Sequence, residues 1–125
     1  MGPRAMIVAG FGFTTRATRD SLRDALHLTG HADRIDLLAT AADKLDLLNA
    51  LSQSLKIPTA AIAQPDLTSQ TTTTQSRAAA TARQTGSVAE AAALAAAGPN
   101  ARLLVARCIS TDRMATCAIA TGDPK

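Results

Sequence analysis

The stretch AMIVAGFGFTTRATRDSLRDALHLTG, residues 5–30, decides the fold. It opens with a short apolar run that ends at a glycine, which is typical of a buried strand. A segment with the apolar spacing of a helix follows, and Thr18 can cap its start while Gly30 ends it. The sequence therefore predicts a strand over 5–9 and a helix over 18–28.

The same alternation continues along the chain. An apolar run over 34–39 predicts a second strand, and leucines at helical spacing predict a second helix over 43–56. Pro58 ends that helix, and a third strand is predicted over 59–63. A strand–helix–strand–helix–strand order is the pattern of parallel βαβ units, so we expect an α/β protein.

The second half of the chain breaks this rhythm. Residues 65–81 include four consecutive threonines and little bulk, so we expect a mobile surface loop, with a functional loop as the alternative. Two strands over 102–109 and 114–120 are separated by a short polar turn and predict a hairpin. We therefore expect residues 1–125 to form a single three-layer α/β domain. Its mixed, mostly parallel sheet of about five strands has flanking helices and a C-terminal hairpin.

The segment TGSVAEAAA, residues 85–93, has the pattern of a helix start. Ser87 can cap the first turn, and Glu90 can reach back to the Ser87 N–H, which is a capping box. Gly86 lets the chain turn freely before the cap. Glu90 is the only glutamate in the chain, and a catalytic role is the alternative to the capping role.

Composition and charge exclude several classes of protein. The chain of 125 residues suits one compact domain, and it carries a net charge of +3 with 13 basic residues. Aromatic residues make up only 2%, so few rings are present to stack on nucleic-acid bases, and no nucleic-acid partner is expected. Without a signal peptide or a membrane-length apolar stretch, we expect a cytoplasmic protein with no membrane contact.

The turn after the first strand is a candidate anion site. Backbone N–H groups and the positive end of the following helix favour an anion there, and Arg16 adds a cation. A dinucleotide fingerprint would need a glycine where Thr15 stands. The alternatives are a tight turn that needs Gly10 and Gly12 for geometry alone and a site for a carboxylate-rich ligand.

Other chemistry receives little support from the sequence. His27 and His31 are four residues apart, but Gly30 separates them, so we expect no metal site and no metal cofactor. The spacing of Cys108 and Cys117 can place two thiols opposite each other in the hairpin, where we expect them to stay reduced. No catalytic triad is apparent, and the catalytic residues stay unknown.

Four segments, in order, resemble the CobE/CbiG C-terminal family of cobalamin (vitamin B12) biosynthesis proteins. They are the opening strand and glycine loop at 9–13, the A-T-x-x-x-K segment at 39–44, the G-S-V-A-E-A-A-A-L signature at 86–94 and the closing hairpin at 103–120. The chain departs from the family after G-F-G-F, where Thr14 and Thr15 precede Arg16 and the basic residue lies two places further along.

The resemblance implies a role in making the corrin ring, whose intermediates carry acetate and propionate groups. It implies a protein that binds or carries a precorrin or corrinoid intermediate of the aerobic pathway, without a cofactor of its own. The alternatives are a hydrolase acting on a precorrin lactone, as in full-length CbiG, and a non-catalytic partner of other cobalamin-pathway enzymes. The ligand-binding residues expected on this basis are Gly10, Gly12, Phe13, Thr14, Thr15, Arg16, Thr40, Lys44, Ser76, Arg77, Gly86, Ser87 and Glu90.

Overall fold

The structure, a computed structural model, describes residues 6–63, 65, 88–98 and 100–122. Its strands and helices follow the predicted α/β order and end in a hairpin. In chain order they are β1 (Met6–Phe13), α1 (Arg19–Leu28), β2 (Leu37–Ala41), a 3-10 turn (Ala42–Lys44), α2 (Leu45–Leu55), β3 (Thr59–Ile62), α3 (Val88–Ala97), β4 (Arg102–Ile109) and β5 (Ala115–Gly122).

The strands form one mixed five-stranded sheet in the order β3-β2-β1-β5-β4. The pairs β1–β2 and β2–β3 are parallel, as the βαβ pattern predicts. The last strand, β5, lies between β1 and β4 and runs antiparallel to both. The α/β class, the mixed sheet and the C-terminal hairpin are thereby confirmed.

Helices cover both faces of the sheet, which gives three layers. The cluster on one face joins Phe11 of β1 to Leu22 of α1 and Leu48 of α2. The cluster on the other face joins Val8 of β1 to the alanines of α3. Because the side chains of a strand alternate between faces, neighbouring residues of β1 serve different cores.

The start and end of α1 follow the predicted chemistry. Thr18 is the N-cap: its hydroxyl accepts the Ser21 N–H, and the Ser21 hydroxyl accepts the Thr18 N–H, so a capping box is present. Gly30 has a φ of +77° just beyond the helix, a conformation that glycine adopts without strain. The predicted cap and stop are both confirmed.

The extent of β1 differs from the prediction. A strand ending at Ala9 was expected, but β1 continues to Phe13 because β5 pairs with it along its whole length, up to Phe13 opposite Ala115. Gly10 and Gly12 therefore lie inside the strand and not in a turn. The loop that follows begins at Thr14.

The two glycines of β1 lie beneath α3. A Cβ built on Gly10 would stand 2.1 Å from the Ala89 carbonyl oxygen and 2.5 Å from the Ala93 nitrogen. On Gly12 it would stand 3.3 Å from the Val88 Cβ. The absence of side chains at these positions lets the alanine-rich helix approach the sheet at backbone distance.

Several boundaries shift by a few residues. The expected strand over 34–39 is β2 at Leu37–Ala41, since Asp36 still belongs to the lead-in: its carboxylate accepts the Ile7 N–H at 2.9 Å. The expected helix over 43–56 begins as a 3-10 turn and becomes α-helical at Leu45. It ends where Lys56 takes a left-handed φ of 59°.

Candidate functional site

Three turns meet at one edge of the sheet. The parallel strands β1, β2 and β3 all end there, so the loop 14–18 and the 3-10 turn 42–44 lie at this edge. Phe13 pairs with Ala115, which brings the turn 110–114 between β4 and β5 to the same edge. In α/β sheets this carboxyl edge is where ligands bind. We call it the carboxyl edge below.

The loop after β1 is tied to the β4–β5 turn. The Thr14 N–H donates to the Met114 carbonyl at 2.9 Å, and the Thr14 hydroxyl contacts the Met114 sulfur at 3.5 Å. Within the loop, the Arg16 N–H donates to the Thr14 hydroxyl at 3.3 Å and the Ala17 N–H to the Thr14 carbonyl at 3.1 Å. These bonds fix the loop but also occupy backbone N–H groups that an anion was expected to use.

A carboxylate of the protein itself contacts the first turn of α1. The Ser21 hydroxyl donates to Asp112 at 2.5 Å, and Asp112 also accepts from the Ser110 hydroxyl at 2.5 Å and the Met114 N–H at 2.9 Å. These hydrogen bonds hold the pKa of Asp112 below its usual range. Asp112 therefore links the β4–β5 turn to the first turn of α1 through the Ser21 side chain.

Cationic side chains remain exposed on the two joined turns. Arg16 lies on the loop and Arg113 on the β4–β5 turn, and within the described ranges neither guanidinium has an ion-pair partner. Arg113 has a left-handed φ of 63°, which is uncommon outside glycine and asparagine. Each of the two joined turns thus carries an exposed arginine.

Lys44 and Thr40 tie the end of β2 to β1. The Lys44 ammonium donates to the Phe13 carbonyl at 3.0 Å and lies 5.5 Å from the centre of the Phe13 ring. The Thr40 hydroxyl, fully buried, donates to the Phe11 carbonyl at 2.8 Å. Thr40 therefore has a structural partner, whereas the Lys44 ammonium keeps further N–H donors for a ligand.

Glu90 is fully buried on the first turn of α3, and its carboxylate accepts the Arg107 N–H of β4 at 3.0 Å. The predicted bond from the Ser87 N–H lies outside the described residues, and Glu90 has interactions beyond the one to Arg107. The observed contact to β4 is one that the capping pattern does not predict.

The structure brings part of the expected set together. Phe13, Thr14, Thr15, Arg16 and Lys44 lie at the carboxyl edge, and Gly10 and Gly12 pack against α3. Ser76, Arg77, Gly86 and Ser87 lie outside the described residues, as do 66–81 of the expected loop. Sequence reasoning missed Asp112 and Arg113, because only the insertion of β5 beside β1 brings their turn to this edge.

The two cysteines face each other as the spacing predicted. Cys108 and Cys117 are direct partners in the β4–β5 ladder, and both are free thiols. Burial raises the pKa of both thiols, that of Cys117 well above its usual value. Because the thiolate is the reactive form, both side chains are poor nucleophiles.

The described residues show neither a metal-ligand cluster nor a membrane-spanning helix. In the described part of the chain, no three His, Cys, Asp or Glu side chains gather in a way that would hold a metal ion. Among the helices that the structure describes, none is long and apolar enough to cross a membrane.

Comparison with known proteins places this geometry in a family. Residues 7–120 match the family model described as cobalamin synthesis G C-terminus. The comparison with curated proteins gave no match. The structure resembles CobE, a protein from the cobalamin (vitamin B12) biosynthetic pathway, with 29% identity, a TM-score of 0.86, and coverage of 97% of this chain and 93% of CobE.

Two further solved structures are similar. The cobalamin biosynthesis protein chiG from Agrobacterium tumefaciens str. C58 is 31% identical over 95% of this chain and 100% of its own length, with a TM-score of 0.71. A putative cobalamin biosynthesis protein G homolog from Sulfolobus solfataricus shares the fold at 18% identity, with a TM-score of 0.72 over 97% of this chain and 38% of that protein. With a family match that spans almost its whole length, the chain belongs to the family of the cobalamin synthesis protein G C-terminus.

Proposed function

We propose that this cobalamin biosynthesis protein binds or carries a precorrin or corrinoid intermediate at its carboxyl edge. The observation that carries the proposal is the pair of exposed guanidiniums of Arg16 and Arg113 on two turns joined by the Thr14–Met114 hydrogen bond. Guanidinium groups suit carboxylates because they can donate two parallel hydrogen bonds. Intermediates of corrin synthesis are tetrapyrroles that carry several carboxylates.

The surrounding charges support an anionic ligand. The negative charge of Asp112 is engaged by two serine hydroxyls and a backbone N–H, so it is stabilised inside its turn. Lys44 adds an ammonium at the end of β2, held by the Phe13 carbonyl. A ligand with several carboxylates can therefore contact Arg16 after β1, Lys44 after β2 and Arg113 on the β4–β5 turn.

Binding without chemistry fits the described groups better than hydrolysis does. Among the described residues, no hydrogen bond joins a hydroxyl or thiol to a histidine ring, and the buried carboxylate of Glu90 is engaged by a backbone N–H. A hydrolase would need a base positioned against a water or a nucleophile. If this protein alone converted the ligand to a product, that result would favour the hydrolase over the carrier.

The test is a titration with uroporphyrin, a tetrapyrrole with acetate and propionate side chains, followed by its absorbance and fluorescence. We expect binding that weakens as salt rises, because exposed charge pairs are screened. Arg16→Ala and Lys44→Ala should each weaken binding by about 1–3 kcal/mol. The matched control is Arg34→Ala, an exposed arginine that precedes β2 and so lies toward the opposite edge.

The neutral methyl ester of uroporphyrin completes the experiment. Ester binding as tight as that of the acid, together with unchanged affinity in Arg16→Ala and Lys44→Ala, would refute carboxylate recognition at this edge. Incubating the protein with intermediates of the pathway and separating the products by chromatography then distinguishes a carrier from a hydrolase. A carrier returns the intermediate unchanged.

A further inference from the structure

Strand β4 carries two register shifts, and the one nearer its C-terminal end lies between Val105 and Cys108. Val105 pairs with Ile119 and Cys108 pairs with Cys117, so Ala106 and Arg107 together oppose the single residue between them on β5. Two residues opposite one define a β-bulge. Such bulges bend the strand, interrupt its ladder and re-aim side chains, and they are frequent beside functional sites.

A buried carboxylate holds this bulge. Glu90 on α3 is fully buried, and its Oε2 accepts the Arg107 N–H at 3.0 Å. Burying a carboxylate is costly unless it is hydrogen-bonded, and every other residue from Val88 to Ala97 is alanine, leucine or valine. The bond to the bulge adds to the capping role that the sequence predicts for Glu90, and it links α3 to β4.

The residue at the bulge is an arginine near the proposed site. Arg107 is half-buried, and within the described segments its guanidinium has no carboxylate partner. It lies two residues before the end of β4, on the strand that leads into the turn holding Arg113. Partial burial strengthens a charged hydrogen bond, because water and salt screen it less.

We propose that Arg107 binds one carboxylate of the ligand and that Glu90 is a positioning residue, which fixes the bulge through the Arg107 N–H. This inference rests on the proposed function, since it assigns a further contact to the same polycarboxylate ligand. It gives a function to the hydrogen bond between the buried Glu90 and the bulge. It also gives the bulge a role in recognition.

The test uses uroporphyrin, four single variants of Arg107 and Glu90, and one control variant. Arg107→Ala should weaken binding roughly tenfold to a hundredfold, because a charged hydrogen bond is lost. Arg107→Lys should retain only part of the affinity, since an ammonium lacks the planar pair of N–H donors of a guanidinium. The matched control is Arg102→Ala, an exposed arginine at the other end of β4, which should bind as the parent does.

The Glu90 variants separate position from charge. Glu90→Gln keeps the length and an accepting oxygen, so it should hold the bulge and retain the affinity. Glu90→Asp keeps the charge but is too short to reach the Arg107 N–H, so it should weaken binding about as much as Arg107→Ala. In the Arg107→Ala background, Glu90→Asp should have no further effect on affinity, because the two residues act as one unit.

The outcomes are distinguishable. If Arg16→Ala weakens binding but Arg107→Ala does not, the inference is wrong while the proposed function stands. If Arg107→Ala weakens binding but folded Glu90→Asp retains full affinity, the positioning role of Glu90 is wrong. If Glu90→Asp does not fold, Glu90→Gln provides the test. Weakened binding by Glu90→Gln would also overturn the positioning role. If uroporphyrin binds no variant and not the parent, the proposed function itself fails.

Discussion

Gly10→Ala tests how closely α3 packs on the sheet. The added Cβ would lie 2.1 Å from the Ala89 carbonyl oxygen and 2.5 Å from the Ala93 nitrogen. Both atoms belong to the backbone of α3, so no rotation of a side chain can relieve the overlap. To reach the ordinary contact distance of 3.4 Å, α3 would have to move away from the sheet by more than an ångström.

The expected cost follows from that displacement. Overpacking a close-packed core costs about 1–3 kcal/mol and occasionally more, and a retreat of the whole helix belongs to the upper end. Replacing a strand glycine by alanine returns only about 0.5–1 kcal/mol of backbone entropy. We therefore expect a net loss of about 2–3 kcal/mol in the free energy of unfolding, or roughly 10 °C in Tm.

Gly12→Ala is the matched control for this variant. Its Cβ would lie 3.1 Å from the Thr116 hydroxyl, which can rotate, and 3.3 Å from the Val88 Cβ, so only a small adjustment of α3 is needed. We expect a change within about 1 kcal/mol of the parent. Urea unfolding followed by circular dichroism measures both variants. Equal stability of Gly10→Ala and the parent would refute the close approach.

Three further predictions concern the elements around the site. Thr18→Ala removes the cap of α1 and should cost about 0.5–2 kcal/mol, measured by urea unfolding, whereas Thr18→Ser should retain most of the stability. The pKa of Asp112 is lowered by hydrogen bonds, so its contribution is present at neutral pH and is lost as pH falls through the folded pKa. The Asp112→Asn variant should therefore lose less Tm than the parent as the pH falls below about 4. An equal loss of Tm in the two proteins would contradict this prediction. For residues 71–74 we predict fast hydrogen exchange in the free protein and slower exchange with uroporphyrin, and slow exchange without ligand would exclude a mobile loop.

The sequence predicted those parts of the fold that depend on local signals. Thr18 caps α1 because its hydroxyl reaches a backbone N–H of the same turn, and Gly30 ends the helix because glycine accepts a positive φ. The alternation of apolar runs with segments of helical spacing likewise predicts the βαβ order. These features depend only on residues that are close together in sequence, so the sequence is enough to predict them.

What the sequence could not predict depends on contacts between distant segments. The length of β1 is set by pairing with β5, which is more than a hundred residues away at Phe13–Ala115. The same pairing brings Arg113 beside the loop that holds Arg16. Glu90 matched a local capping pattern, but its bond to the bulge at Arg107 arises only when α3 packs across β4.

Binding of a polycarboxylate tetrapyrrole at the carboxyl edge can be tested in one measurement. Backbone amide shifts of isotope-labelled protein, recorded with and without uroporphyrin, test it directly, because a porphyrin ring current moves the signals of nearby amides. We predict the largest shifts at residues 14–16, 42–44 and 112–114. Shifts confined to the opposite edge, near Met6 and Gly122, would contradict this binding site.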